Sequence, residues 1–344
     1  MKKIVIAFIG VCTFLSCKKE EVYTNVALVF EKPANFPEPD YDLNSNPITE
    51  KGFELGKKLF YDGKLSSDGV VSCAFCHQQK FAFTHHGHQF SHGVEDRVGK
   101  RNTPPIQNMA FQNQFSWDGA AFHLDLFPII PITNPVEMDE TVTNVLKKLQ
   151  EDAAYTRLFS QAFEDGKINA DNTFKAMSQF MLMMVSANSK YDKYIRGEKG
   201  GDFSVEEKNG LQLFKNKCAS CHTSDVFTDN SFRNNGLPIN PEINDLGRMT
   251  VTLVEEDKYK FKVPSLRNIE LTAPYMHDGR FGSLNSVLNF YINGVQETPN
   301  LDPILKNTNG TLGIQLTEEE KENIIAFLKT LTDEQFITDK RFAE

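Results

Sequence analysis

Two copies of the pattern Cys-x-x-Cys-His constrain this chain of 344 residues more than any other feature. The first copy, CAFCH, ends at His77, and the second, CASCH, ends at His222. Two thiols at this spacing add across the two vinyl groups of one haem, and the histidine that follows is then held under the iron as a ligand. The pattern therefore predicts two covalently bound haem c groups. The thiols that would carry them are Cys73 and Cys76 for the first haem, and Cys218 and Cys221 for the second.

A zinc site built from two Cys-x-x-Cys halves is the alternative interpretation. The two halves lie 145 residues apart, from Cys73 to Cys218, which is far beyond the spacing of a zinc ribbon. The remaining cysteines, Cys12 and Cys17, both lie near the amino terminus. No cysteine is left over for a separate framework of disulfide bonds.

The amino-terminal residues have the pattern of an export signal. Two lysines precede an apolar run from Ile4 to Leu15, which is too short to cross a bilayer of roughly 30 Å. The apolar run, the small residue Ser16 and then Cys17 together resemble a bacterial lipoprotein signal. We therefore expect residues 1–17 to be a signal that ends at an acylated cysteine. Ordinary cleavage nearby would instead leave Cys17 as a free thiol. The expected product is exported to the periplasmic side and anchored by lipid, with residues 18–47 as a flexible tether.

The net charge argues against one class of partner. The formal charge is −9, and it becomes −11 when the two lysines of the signal are removed. Such an acidic surface argues against nucleic-acid binding. It is compatible with steering of a basic protein partner and equally with simple solubility.

Helical periodicity dominates the rest of the chain. Apolar residues recur at helical spacing in six segments, which are Val142–Leu149, Tyr155–Phe163, Phe174–Val185, Val205–Phe214, Leu284–Ile292 and Ile324–Leu331. Strand alternation is scarce, and Thr317 followed by three glutamates predicts a capped helix start. The predicted fold class is all-α.

A weak internal repeat predicts how the helices are divided. A G-x-x-L-F segment precedes each haem motif, which indicates two cytochrome c-like domains, each organised around one covalently bound haem. The polar, glycine-rich stretch 186–204 places their boundary near Gly200. We therefore expect one haem domain over residues 48–199 and a second over residues 200–344, with long loops at the haem interface.

Six motifs between Gly52 and Leu331 resemble those of the bacterial di-haem cytochrome c peroxidases, a superfamily that includes the MauG enzymes. They are SCAFCH, GKRNTPPIQNMAF, FSWDG, NPVEM, CASCH and KVPSLRNIELTAPYMHDG. The resemblance implies an oxidoreductase that reduces hydrogen peroxide to water. It assigns the peroxide site to the haem on His77 and electron transfer to the haem on His222. The implied electron donor is a small protein, a cytochrome c or a cupredoxin, and members of the family are often homodimers.

The resemblance also implies roles for three side chains. Glu137 of NPVEM matches the catalytic glutamate, which moves a proton between the peroxide oxygens. Trp117, the only tryptophan, matches a residue placed between the two haems, where it would carry electrons. His277 matches a histidine near a haem edge, which would bond a propionate or position water. Without the motifs, Glu137 reads as a solvated cap and Trp117 as a core residue.

A calcium ion at the haem interface is a further implication of the resemblance. Asn102 would supply a side-chain oxygen, and Thr272 and Pro274 would supply backbone carbonyls, the hard ligands that Ca²⁺ prefers. Taken alone, Asn102 reads as a turn-forming residue.

The sequence departs from the family pattern around the first haem. Many members carry a second histidine ligand at the position of Val94, and valine cannot bind iron. Either His92 serves instead or the iron stays open, and we favour the open iron. The loop also contains His85, His86 and His88, which read as solvated residues or as an adventitious metal site. Phe127 stands where the family often has a glutamine, so a hydrogen-bond donor to peroxide is missing.

The distal ligand of the second haem is a choice between two residues. In typical peroxidases it is a methionine fourteen residues after the motif histidine, a position that Tyr291 occupies here. MauG-type relatives carry a tyrosine there. We therefore expect Tyr291 to bind the iron, with Met276 as the alternative.

Three functions follow from these features. The first is a di-haem peroxidase, and the second is a MauG-like oxidase that uses peroxide to oxidise a protein or an organic substrate. Tyr291 and the missing distal histidine favour the second. The third is a non-catalytic electron-transfer cytochrome, against which Glu137, Trp117 and an open iron argue.

Overall fold

The computed structural model describes residue 23 and residues 26–344. The expected signal, which includes Cys17, lies outside the described residues. Residues 18–22, 24 and 25 of the expected tether also lie outside them. No helix in the described part of the chain is long and apolar enough to span a bilayer.

Helices supply nearly all of the regular structure in residues 26–344. The α-helices are α1 Glu50–Tyr61, α2 Cys73–Cys76, α3 Ile129–Thr133, α4 Val142–Gln150, α5 Ala153–Ala162, α6 Ala170–Leu182, α7 Lys190–Arg196, α8 Val205–Lys217, α9 Met249–Thr252, α10 Leu284–Asn293, α11 Glu318–Lys329 and α12 Glu334–Thr338. The strands β1 Phe232–Arg233 and β2 Phe261–Lys262 pair antiparallel, with Phe232 opposite Lys262. The prediction of an all-α fold is confirmed.

The first hydrophobic core forms where α1 packs against α6. Leu55, Leu59 and Phe60 of α1 are buried in this contact. Gly56 lets the two backbones approach, because a Cβ atom there would clash with the carbonyl oxygen of Ala176 in α6. This packing positions α1 immediately before the first haem motif.

The second core repeats the arrangement with α8 and α11. A Cβ atom at Gly210 would clash with the carbonyl oxygen of Asn323 in α11. Phe214 and Phe327 pack nearby, with ring centroids 5.0 Å apart. Gly210 and Gly56 begin the two G-x-x-L-F segments, so the internal repeat corresponds to the same helix contact in each half.

Residues 26–47 pack onto the first core, which differs from the flexible tether expected for residues 18–47. Phe36 and Tyr41 are buried in this segment. The ring of Phe36 meets that of Phe111 edge-on at 5.1 Å. Burial of these two aromatic side chains helps to hold a polar, proline-containing stretch against the domain.

Each core contains residues from the other expected domain. Tyr191 of α7 belongs to the second core and contacts Phe227 at 5.0 Å. In the opposite direction, Phe336 of α12 and Phe342 pack in the first core. The chain therefore crosses between the cores before Gly200 and again close to its last residues.

Candidate active site

The first Cys-x-x-Cys-His segment forms α2 and presents its histidine at the end of that helix. The backbone N–H of His77 donates to the carbonyl oxygen of Cys73 at 2.9 Å. Nδ1 of His77 lies 2.8 Å from the carbonyl oxygen of Phe83, so Nδ1 carries the proton and Nε2 keeps the lone pair that a metal would need. Desolvation lowers the pKa of His77 to about 4, which keeps the ring neutral.

The second segment repeats this arrangement directly after α8. The backbone N–H of His222 donates to the carbonyl oxygen of Cys218 at 3.0 Å. Nδ1 of His222 lies 3.2 Å from the carbonyl oxygen of Phe227 and 3.1 Å from that of Pro264. Desolvation lowers the pKa of His222 as well. The backbone therefore orients both imidazoles in the same way.

Each haem motif lines a cavity. The first cavity has a volume of about 480 Å³ and the second about 240 Å³. The two thiols and the histidine of each motif line its cavity, and none of these four cysteines forms a disulfide bond. Apolar side chains complete the first cavity, among them Phe60, Met177 and Met181. Paired thiols and a neutral imidazole on an apolar wall fit haem c in both places.

Glu137 lines the first cavity together with His77. Its turn is closed by the Glu137 N–H, which donates to the carbonyl oxygen of Asn134 at 3.0 Å. Desolvation raises the pKa of Glu137 above the ordinary value of a glutamate, and a hydrogen bond with the Asn134 side chain opposes the rise. The predicted catalytic carboxyl is thus in the same cavity as the predicted iron ligand.

Trp117 and Asn102 line both cavities and form part of their shared wall. The backbone carbonyl of Trp117 accepts a hydrogen bond from the Lys262 N–H at 2.7 Å. This contact ties the tryptophan loop of the first half to β2 of the second. Trp117 therefore lies between the two cavities.

His277 lines the second cavity and stacks on Phe261, with ring centroids 3.7 Å apart and planes 9° from parallel. Its carbonyl oxygen accepts a hydrogen bond from the Asn102 N–H at 2.7 Å. Desolvation lowers the pKa of His277 to about 4. Arg101 pairs with both Asp118 and Asp245 at 2.6 Å, which fixes the loop that carries Asn102.

Tyr291 and Met276 both line the second cavity with His222. Nδ2 of Asn235 lies 3.4 Å from the Tyr291 hydroxyl oxygen and 3.6 Å from the Met276 sulfur. The two candidate distal ligands therefore contact the same amide nitrogen.

Comparison with known proteins agrees with this arrangement. Residues 50–200 match the family model described as di-haem cytochrome c peroxidase, and residues 207–332 match the model described as cytochrome c. The methylamine utilization protein MauG of Methylorubrum extorquens is 36% identical over 316 residues, which cover 89% of this chain and 84% of that protein. The chain belongs to the di-haem cytochrome c peroxidase family.

The relatives of this chain include both MauG proteins and cytochrome c peroxidases. The cytochrome c551 peroxidase of Pseudomonas aeruginosa is 32% identical over 308 residues, covering 87% of this chain and 84% of that protein. A crystal structure described as a MauG-like protein associated with microbial copper homeostasis has a TM-score of 0.81 and 32% identity, covering 92% of this chain and 99% of that chain. The predicted family, the two cytochrome c-like domains and the oxidoreductase class are confirmed. Family membership also implies haem c.

The residues at which the sequence departs from the family pattern lie in or next to the first cavity. Val94 is buried, and its N–H donates to the carbonyl oxygen of Glu137 at 2.8 Å. His92 and Phe127 line the cavity. Phe127 stacks on Phe115, with ring centroids 5.6 Å apart, so an aromatic ring occupies the expected place of an amide.

The four histidines between residues 85 and 92 form two groups. His86 stacks on Phe81 at 4.2 Å. The rings of His85, His88 and His92 lie 4.0 to 5.9 Å apart. His85 is buried, unlike the solvated residue expected, and its Nδ1 atom has no hydrogen-bond partner. Within residues 26–344, no group of three or more His, Cys, Asp or Glu side chains is arranged to hold a metal ion.

The three residues predicted to bind calcium all line the second cavity. They are Asn102, Thr272 and Pro274. The Asn102 amide donates to the carbonyl oxygens of His88 and Gln89, at 3.0 and 3.2 Å. The loop that contains the histidines therefore contacts Asn102.

Two residues of the second cavity were missed by sequence reasoning, Asn235 and Lys262. Nζ of Lys262 donates to Oε1 of Gln112 at 2.6 Å, and desolvation lowers the pKa of Lys262 to about 7. The one available signal for Lys262 is a charged residue between Phe261 and Val263. Asn235 lies in an aperiodic loop and gives no signal of its own.

Proposed function

We propose that the chain is a di-haem c-type peroxidase that reduces hydrogen peroxide to water with electrons from a small redox protein. Each peroxide takes up two electrons and two protons and gives two molecules of water. The observation that carries the proposal is Glu137, a carboxyl group in the cavity lined by His77, Cys73 and Cys76.

The residues of the first cavity have separate tasks in this proposal. Cys73 and Cys76 hold the haem through thioether bonds, and Nε2 of His77 binds its iron. The bound haem supplies the redox-active iron at which peroxide is reduced. The Glu137 carboxylate accepts a proton from one peroxide oxygen and returns it to the oxygen that leaves as water. Phe127 keeps the cavity apolar, which strengthens the electrostatic effect of the carboxylate.

Electrons enter through the second half of the molecule in this proposal. Cys218, Cys221 and His222 hold the second haem, and Trp117 connects its cavity to the first. The contact between the Lys262 N–H and the Trp117 carbonyl supports this role, because it fixes the tryptophan loop relative to β2.

A MauG-like oxidase is the second candidate, and Tyr291 is the observation that favours it. Its hydroxyl group lies in the second cavity, where Asn235 contacts it. A phenolate oxygen is hard and anionic, so it stabilises oxidised iron, whereas a thioether favours reduced iron. Such a protein would use peroxide to oxidise a protein or organic substrate in place of a donor cytochrome.

Three further elements belong to the proposal. A calcium ion bound by Asn102, Thr272 and Pro274 is supported by the fact that all three residues line the second cavity. Export and lipid attachment at Cys17 are supported by the amino-terminal sequence. A homodimer is proposed from the family resemblance alone.

The test uses haem-loaded protein made in a host that attaches haem c. Peroxide consumption is measured with reduced cytochrome c or with a reduced cupredoxin. We expect turnover with one of these donors, and a loss of about 10²-fold or more in the variant Glu137→Gln. Glu140→Gln is the matched control, because Glu140 follows in the same segment, is buried and does not line the cavity.

The outcomes separate the candidate functions. Donor oxidation that is unchanged in Glu137→Gln would refute the assigned proton role. A rapid spectral reaction with peroxide and no turnover of either donor would favour the MauG-like oxidase over the peroxidase. No reaction with peroxide would leave only an electron carrier.

A further inference from the structure

The second cavity contains one amide that touches both candidate iron ligands. Nδ2 of Asn235 contacts the Tyr291 oxygen at 3.4 Å and the Met276 sulfur at 3.6 Å. All three residues line the cavity that also contains His222. A primary amide has two N–H groups, so it can donate to both atoms at once.

The orientation of the Asn235 amide is set by its backbone surroundings. The Leu237 N–H donates to Oδ1 of Asn235 at 3.3 Å. Because a backbone N–H is only a donor, the amide oxygen faces Leu237 and the amide nitrogen faces the two ligands. The loop itself is held by the Gly236 N–H, which donates to Oδ1 of Asn234 at 2.9 Å.

The backbones of both candidate ligands are also held in place. Met276 has φ of 75°, a left-handed conformation that is uncommon for a residue other than glycine, and its carbonyl accepts from the Gly279 N–H at 3.1 Å. The Tyr291 carbonyl accepts from the Ile314 N–H at 2.7 Å. Because both backbones are held, the chemistry of the two ligand atoms, the tyrosine oxygen and the methionine sulfur, decides which residue binds the iron.

The ligand groups of Tyr291 and Met276 differ in charge. A tyrosine that binds iron does so as an anionic phenolate, whereas methionine binds as a neutral thioether. A hydrogen bond to an ionised acceptor is about twice as strong as one to a neutral acceptor. The Asn235 amide therefore stabilises the tyrosine-bound form more than the methionine-bound form.

We propose that Asn235 is the positioning residue that selects Tyr291 over Met276 as the distal ligand of the second haem. This inference rests on the proposed function in one respect, since it assumes a haem on His222. It identifies a determinant of the electron affinity of that haem, because phenolate and thioether ligands set different potentials.

The test replaces the amide in the haem-loaded, oxidised protein. Asn235→Asp keeps the shape of the side chain and removes both N–H donors, while Asn235→Leu removes all polar atoms. Electron paramagnetic resonance and resonance Raman spectroscopy measure the fractions of phenolate-bound and thioether-bound iron. We expect phenolate in the unchanged protein and a shift of roughly tenfold or more towards thioether in both variants. Asn293→Asp is the control, because Asn293 is an exposed residue of α10, the helix that carries Tyr291.

Two more variants make the result decisive. Tyr291→Phe should abolish the phenolate signature, and Met276→Leu combined with Asn235→Asp should abolish the thioether signature. A phenolate fraction that is unchanged in both Asn235 variants at equal haem content overturns the inference. Thioether ligation in the unchanged protein also overturns it. Since these spectra need no peroxide or donor, failure here is distinguishable from failure of the proposed peroxidase activity.

Discussion

The indole N–H of Trp117 donates a hydrogen bond to the backbone carbonyl of Asn102 over 2.8 Å. Both residues belong to the wall shared by the two cavities. Asn102 is also tied through its N–H to the carbonyl of His277. One loop thus connects the tryptophan of the first half to the histidine of the second.

Replacement of Trp117 by phenylalanine tests the role of this wall. The variant keeps an aromatic ring and loses the indole N–H, so we expect a loss of about 1 kcal/mol in unfolding free energy. We also expect slower electron transfer from the second haem to the first, with normal haem content. Stopped-flow mixing of the half-reduced protein with peroxide measures that rate. A rate equal to that of the unchanged protein would mean that the indole is dispensable.

The raised pKa of Glu137 gives the reaction with peroxide a defined pH dependence. The carboxylate form accepts the proton, so the rate should fall as the pH decreases through a pKa above the ordinary value of a glutamate. In Glu137→Gln the rate should be low and should lack this transition. The pH profile of the second-order rate constant measures both. A transition that persists in Glu137→Gln would assign it to another group.

Gly93 determines how closely the loop of His92 approaches the catalytic turn. A Cβ atom there would clash with the backbone carbonyl oxygens of Glu137 and Val136. We expect Gly93→Ala to destabilise the protein by about 1–3 kcal/mol and to lower peroxide turnover, while both haems remain attached. Gly282→Ala is the matched control, since no atom lies within 4 Å of the position its Cβ would take. Equal turnover in the two variants would contradict the prediction.

The features that the sequence predicts well are local ones. The haem motifs, the six periodic helical segments and the capping threonine all depend on residues within a few positions of one another. Thr317 is indeed the N-cap of α11, with a capping box to Glu320. Glu137 and Trp117 were singled out through motifs, and both line the first cavity.

The features that the sequence missed depend on contacts between distant residues. The helix α7 lies in a stretch that was interpreted as a polar boundary. Tyr191, its one buried apolar residue, is isolated in the sequence and packs on the second core. Lys262 meets Gln112 across 150 positions. Asn235 reaches Tyr291 across 56 positions. Such pairs leave no periodicity or spacing that a single sequence could reveal.

Lys262 should make the stability of the protein increase with pH above neutrality. Desolvation lowers its pKa to about 7 in the folded chain, whereas an unfolded chain has a lysine pKa of about 10.4. Between these values the unfolded state binds more protons, so the unfolding free energy rises with pH by at most about 1.4 kcal/mol per pH unit. Lys262→Met should remove this contribution, and urea unfolding followed by circular dichroism between pH 7 and 10 measures the slope. Lys208→Met, at an exposed position, should keep it. Equal slopes for Lys262→Met and the unchanged protein would show that Lys262 remains charged when buried.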